Sequence, residues 1–163
     1  MQPYKGVERL IDAFVGLSSD DSWLVIACGG EAGYLETVRA RVASHPRIVV
    51  RTHRRAPSED FMLALQAADV VVLPFAATMT SGTLMLALSC ARLVIAPALG
   101  CLPSTVAPDA GILYDPATRG ALIDAMETVR RWDLEAASRA ALASARRFDW
   151  DEIAARTLEA YRA

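Results

Sequence analysis

The chain has 163 residues, 53% of them hydrophobic and 22% charged, with a formal net charge of −2. This composition belongs to a folded domain with room for a sizeable core and excludes a disordered segment. The near-neutral charge gives no case for nucleic acid or an anionic membrane, and no apolar run reaches the roughly 18 residues of a membrane span.

Lys5-Gly6 leads into a helix in which Val7, Leu10, Ile11 and Phe14 recur at helical spacing, so one face is buried. Asp20-Asp21-Ser22 turns the chain into a strand, Trp23–Ala27, ended by Cys28-Gly29-Gly30. A glycine pair between strand and helix is what a close βα turn requires. It is also a weak phosphate-loop signal, so Gly29 and Gly30 are binding candidates alongside the structural reading. A second helix, Glu31–Ala43, turns Tyr34, Leu35, Val38 and Val42 inward, and Pro46 stops it before the strand Ile48–Val50. The basic cluster Arg51-Thr52-His53-Arg54-Arg55 follows at the C-terminal end of that strand, the edge where open α/β sheets bind ligands. It reads equally as a solvated loop or as a holder of phosphates or a base.

Pro57-Ser58-Glu59-Asp60 has helix-start chemistry, and that helix runs to Ala68 with Phe61, Ala64 and Leu65 on its apolar face. The central stretch comes next: a buried strand Val70–Leu73, a turn closed by Pro74, a polar Thr80-Ser81-Gly82 corner, a helix apolar all round at Leu84–Leu88, and a second buried strand Leu93–Ala96. Two continuous apolar strands joined by a helix form a βαβ crossover, the unit of a parallel sheet covered on both faces. The corner leaves backbone N–H groups at the positive end of a helix dipole, a setting for an anion such as a diphosphate. Ordinary N-capping by Thr80 or Ser81 is compatible with that role.

Pro97, Gly100 and Pro103 mark a turn-rich connection to a short strand Gly111–Tyr114, ended by Asp115-Pro116. Helices are expected at Ala117–Trp132 and Ala136–Arg147. The turn Phe148-Asp149-Trp150 then leads to a terminal helix in which Ile153, Leu158 and Tyr161 share a face. Cys28, Cys90 and Cys101 are odd in number and lie in or beside apolar stretches, so reduced thiols are expected. The first residues show no secretory signal pattern, and a cytoplasmic location is expected. His45 and His53 do not combine with the cysteines at ligand spacing, so no metal site is expected.

Taken in order, Lys5-Gly6-Val7, Leu24-Val25-Ile26-Ala27, Ala67-Ala68-Asp69-Val70, Val72-Leu73-Pro74, Val94-Ile95-Ala96, Gly100-Cys101-Leu102-Pro103 and Gly111-Ile112-Leu113 form one set. That set resembles the C-terminal, donor-binding half of GT-B-fold glycosyltransferases of the group 1 or family 4 type, over Tyr4 to Tyr161. The resemblance implies an α/β fold: a Rossmann-like parallel sheet with helices on both faces, residues 1–163 forming one nucleotide-sugar-binding domain. It also implies a hexosyltransferase of glycan biosynthesis. Such an enzyme passes a sugar from a nucleotide-diphosphate donor to an acceptor hydroxyl with retention, and needs no cofactor beyond that donor. By resemblance Lys5 contacts the donor diphosphate, Ser81, Gly82 and Thr83 offer backbone N–H groups to it, and Arg54 and Arg55 lie near the base. No catalytic residue is assigned.

The chain also departs from the pattern. The family's glutamate pair falls on Thr78 and Leu86, neither of which is a charged acceptor, and the glutamate of Gly-Leu-Pro-Glu is Ser104. Family members also carry a strand and an arginine-bearing loop before the lysine, behind a complete N-terminal acceptor domain. A chain opening Met1-Gln2-Pro3-Tyr4 is therefore expected to lack these, as a fragment of a longer enzyme or a truncated gene product of little activity alone. Its strands are expected to be parallel in one sheet, with a gap or an intruding segment beside Val70–Leu73 whose free edge favours a homodimer. A competing reading is a non-catalytic binding or assembly module that retains the fold. An unrelated Rossmann-like nucleotide-binding protein fits the Gly-Gly turn less well.

Overall fold

Five short apolar strands alternate with helices in the structure, a computed structural model that describes residues 3–18, 21–29, 31–52 and 59–162. A single 3₁₀ turn, Pro3–Lys5, precedes α1 (Val7–Val15), and β1 (Leu24–Cys28), α2 (Ala32–Val42) and β2 (Ile48–Thr52) complete the first half. The second half runs α3 (Glu59–Ala67), β3 (Val70–Val72), α4 (Gly82–Ser89), β4 (Leu93–Pro97), α5 (Leu102–Thr105) and β5 (Gly111–Tyr114). It closes with α6 (Ala121–Val129), α7 (Leu134–Arg146) and α8 (Trp150–Arg162). β1 starts one residue later than expected and leaves Trp23 exposed, and β2 carries two residues of the basic cluster, Arg51 and Thr52, inside the strand.

The pairings are parallel throughout, Leu24 opposite Ile48, Val70 opposite Leu93 and Val94 opposite Gly111. The expectation of one sheet needs correction. Among the described residues the strands form two sheets, β1-β2 and β3-β4-β5, with no ladder between β1 and β3. The expected gap beside β3 is where the sheet divides. Packing joins the halves in place of a strand ladder, helped by loop hydrogen bonds such as Ala76 N–H to the Tyr4 carbonyl. α1 begins where Gly6 lies against Pro74, just past β3, and ends near Phe14, whose ring sits 5.8 Å from the Arg47 guanidinium just before β2. It therefore runs opposite to both sheets and aligns their C-terminal edges on one side.

Side chains on β4 alternate between the two faces, and both are covered. Leu93 and Ile95 pack with Leu24, Ile26 and Ile48 under Leu10, Ile11 and Phe14 of α1 and Leu122 and Met126 of α6. Val94 and Ala96 pack with Leu73 and Phe75 against Leu84 and Leu88 of α4, Leu102 of α5 and Ala141 of α7. The low bulk of α7 suits this position, because Ala141 and Ser144 let its backbone come close. The buried Ser144 hydroxyl accepts the Ala107 N–H at 3.3 Å.

Other boundaries moved for local reasons. The helix expected from Ala117 begins at Ala121, because the Asp115 carboxylate accepts from the Ala117 N–H and the Thr118 hydroxyl and holds a turn there. The connection after Pro97 contains α5, a single helical turn that the Gly and Pro residues masked. α8 has its expected apolar residues, but every described side chain on it is exposed.

Candidate functional site

The C-terminal edge of β3 opens into the loop 73–81, and three other segments meet it. The first is the start of the chain. The Ala76 N–H donates to the Tyr4 carbonyl at 2.8 Å, and Gly6 (φ +69°) is pressed so closely on Pro74 that a β-carbon would meet its carbonyl oxygen. Only glycine combines that backbone angle with that approach. Lys5 is thereby held over the loop, half-buried, its Nζ 5.0 Å from the Phe75 ring centroid and 5.2 Å from that of Tyr4.

The second segment follows β4. The Cys101 N–H donates to the Met79 carbonyl at 2.9 Å, and Gly100 (φ +53°) abuts the Thr78 and Met79 backbones. Within the loop, the Thr78 hydroxyl donates to the Thr80 carbonyl at 2.8 Å. The corner is thus braced from outside and from within.

The third is α4 itself. Ser81, extended at φ −145°, is its N-cap, and its Oγ accepts the Leu84 N–H at 3.1 Å while its carbonyl accepts from Met85. Among the described residues the amides of Gly82 and Thr83 make no hydrogen bond within the protein. A β-carbon on Gly82 would meet open space. Two free N–H groups at the positive end of a helix form a chemical setting for an anion.

Lys5 packs on the start of the loop 73–81, at Phe75 and Ala76, and the Thr80–Thr83 corner stands at its end. Gly29, half-buried, follows β1 on the same side of the fold. Gly30, Arg54 and Arg55 lie outside the described residues. Thr78 is spent on the loop, and Leu86 is half-buried against the second core cluster, so neither supplies the carboxylates their positions would hold in the resembled family. Sequence reasoning missed Tyr4 and Phe75, since nothing in a Pro-Phe step marks a ring that will face a lysine. It also missed the Gly100–Met79 contact.

Two ionisable groups at the ends of strands lie in buried surroundings. Burial raises the Cys28 thiol at the end of β1 and the Tyr114 phenol at the end of β5. The Arg9 guanidinium pulls Tyr114 the other way, but among the described residues the Tyr114 hydroxyl has no well-formed hydrogen bond. Among the described residues no three His, Cys, Asp or Glu side chains group as metal ligands, and no helix is long and apolar enough to cross a membrane. Concavities also occur along the exposed face of α8 and beside Ser18, Glu127 and Arg130; neither is lined by residues of the loop 73–81.

Parallel sheets with helices on both faces and an anion-suited edge define a Rossmann-like domain, the architecture of one half of a GT-B glycosyltransferase. The family described as Glycosyl transferases group 1 matches residues 1–131, and the chain belongs to it. It is 30% identical to a glycogen synthase of Deinococcus deserti, over 96% of this chain and 35% of that protein. The fold is similar to a glycosyltransferase of Rickettsia africae (TM-score 0.83, 18% identity, 99% of this chain and 45% of that one). It is also similar to Anabaena HepE solved with UDP-glucose (TM-score 0.80, 21% identity, 99% and 46%). A third similar structure is a sucrose-phosphate synthase of Thermosynechococcus elongatus (TM-score 0.78, 24% identity, 99% and 42%). The chain spans about a third of the length of the curated relative it matches, at 35%, and under half of these solved chains.

Proposed function

We propose that this chain is the donor-binding half of a retaining glycosyltransferase and holds a nucleotide-diphosphate sugar at the loop 73–81. The observation that carries this reading is the braced loop 73–81, which has Lys5 packed on its start and the open amides of Gly82 and Thr83 at its end. As the bond from sugar to diphosphate breaks, negative charge builds on the leaving phosphate. A fixed ammonium and helix-start amides stabilise that charge without reorganising. Thr80 and Ser81 shape the corner, and in this reading Gly29 and Gly30 contact the donor and Arg54 and Arg55 serve the base. The acceptor hydroxyl and any base come from a second, N-terminal domain, in keeping with the share of its relatives that this chain spans. Alone, the chain binds donor and turns over little. HepE was solved with UDP and UDP-glucose, which makes UDP the first nucleotide to try. The free thiols Cys28, Cys90 and Cys101 fit a reducing, cytoplasmic compartment.

The test is a titration of UDP and GDP against the chain and its Gly82→Pro variant. Proline is compatible with the first position of a helix, and the extended Ser81 before it suits a proline neighbour. The variant should therefore fold while losing one donor N–H. Weaker nucleotide binding in the folded variant is expected; equal affinity would sink the proposal.

A second reading is favoured by Thr78 and Leu86, which leave the site without its two carboxylates. A module that retained the fold and lost transfer would bind partners without needing nucleotide. Donor hydrolysis or transfer in the presence of an acceptor domain decides against that reading.

A further inference from the structure

We propose that Phe75 and Tyr4 are positioning residues that fix the Lys5 ammonium for a phosphate without neutralising its charge. This rests on the donor reading above and adds to it the means by which the lysine is held. A free lysine carries large rotamer entropy, which a phosphate contact would have to overcome. A carboxylate partner would order the side chain, but it would also cancel the charge and compete with the phosphate. Ring faces avoid this conflict, because they attract a cation through their quadrupole and offer it no negative group.

Lys5 has this arrangement. Its Nζ lies within cation–π reach of both rings, and among the described residues no carboxylate pairs with it. Phe75 is an immobile wall: it is 2% exposed, its N–H donates to the Leu73 carbonyl, and it packs with the core around Leu84 and Leu88. Tyr4 is the outer wall, 42% exposed, with its backbone tied to Ala76. The loop that presents the open Gly82 and Thr83 amides thus also carries the ring that aims the lysine.

The experiment is a double-mutant cycle read by NMR titration of UDP into the 163-residue chain. Tyr4→Ala and Phe75→Leu should each weaken UDP about two- to fivefold, from the strength of a partly exposed cation–π contact. Tyr4→Phe, which keeps the ring, should bind UDP as the parent does. In a Lys5→Ala background both losses should vanish, since the rings act through the lysine. Equal losses with and without Lys5 would overturn the clamp, even with UDP binding intact. Tyr4 is on the surface, so its variants remain informative where Phe75→Leu fails to fold. Without any nucleotide, the Lys5 ε-methylene protons should resonate upfield and return toward the ordinary position in Tyr4→Ala; an ordinary position in the parent overturns the clamp. A parent with the upfield signal whose UDP affinity ignores Lys5→Ala would overturn the donor reading, and the clamp's role in binding with it.

Discussion

A β-carbon placed on Gly6 would stand 1.9 Å from the carbonyl oxygen of Pro74, and Gly6 itself is at φ +69°. This contact ties the start of α1 to the end of β3; among the described residues no backbone ladder connects the two halves of the fold. Gly6→Ala combines a left-handed backbone penalty with a clash against rigid backbone, and should destabilise by about 2–4 kcal/mol. Urea midpoints measure it, and a shift worth less than about 0.5 kcal/mol would show that the chain start is only loosely docked.

The lysine carries the second expectation. A contact between a charged donor and a diphosphate oxygen contributes on the order of 1.5–3 kcal/mol. Lys5→Ala should therefore weaken UDP about ten- to a hundredfold. Lys5→Arg should recover part of the loss, since a planar fork does not set its charge at the same point. Calorimetry or NMR on the chain, repeated with an acceptor domain restored, decides the matter; unchanged affinity and turnover would make Lys5 a surface charge.

Ala91 has φ +56°, in the left-handed region, just after α4. Ala91→Gly should relieve that strain and stabilise the fold by roughly 0.5–1 kcal/mol, offset in part by the freer unfolded chain. A thermal or urea comparison with the parent checks it. A net loss above about 0.5 kcal/mol would mean the methyl group packs more than it strains.

Stability should fall at alkaline pH. Burial raises the Cys28 thiol and the Tyr34 and Tyr114 phenols, so the folded protein keeps their protons longer than the unfolded chain does. Their stabilising contribution is full below the unfolded values. It is lost as pH rises through roughly 8.5 to 10 and on through the raised folded values. Tyr114→Phe should flatten part of that decline, and a decline unchanged in this variant would assign it to other groups. Cys28 should also resist alkylation at pH 8, while the exposed Cys101 reacts.

Much of the fold was legible because strands buried on both faces must be apolar without interruption. Leu93–Ala96 and Val70–Leu73 declare themselves that way, and helical spacing did the same for Val7, Leu10, Ile11 and Phe14. The anion-suited corner could be read because N-capping chemistry is local: Ser81 caps α4 through a residue three positions on. Helix starts were read less well where a side chain competed for the backbone, as Asp115 does before α6.

The division into two sheets was anticipated only as a gap beside Val70–Leu73, which the family resemblance implied and no strand's own pattern carries. Each strand carries the same apolar signal whether or not a neighbour pairs with its edge, and pairing depends on which strands folding brings alongside. The exposure of α8 has the same origin: Ile153, Leu158 and Tyr161 repeat as a buried face would, yet no described element covers them. The Lys5 clamp is likewise a product of packing. Phe75 is distant from Lys5 in the chain and meets it because Gly6 fits against Pro74 and Tyr4 bonds to Ala76. A pattern of hydrophobicity records which side chains leave water. It does not record which of them meet, and the chemistry proposed for Lys5 depends on that meeting.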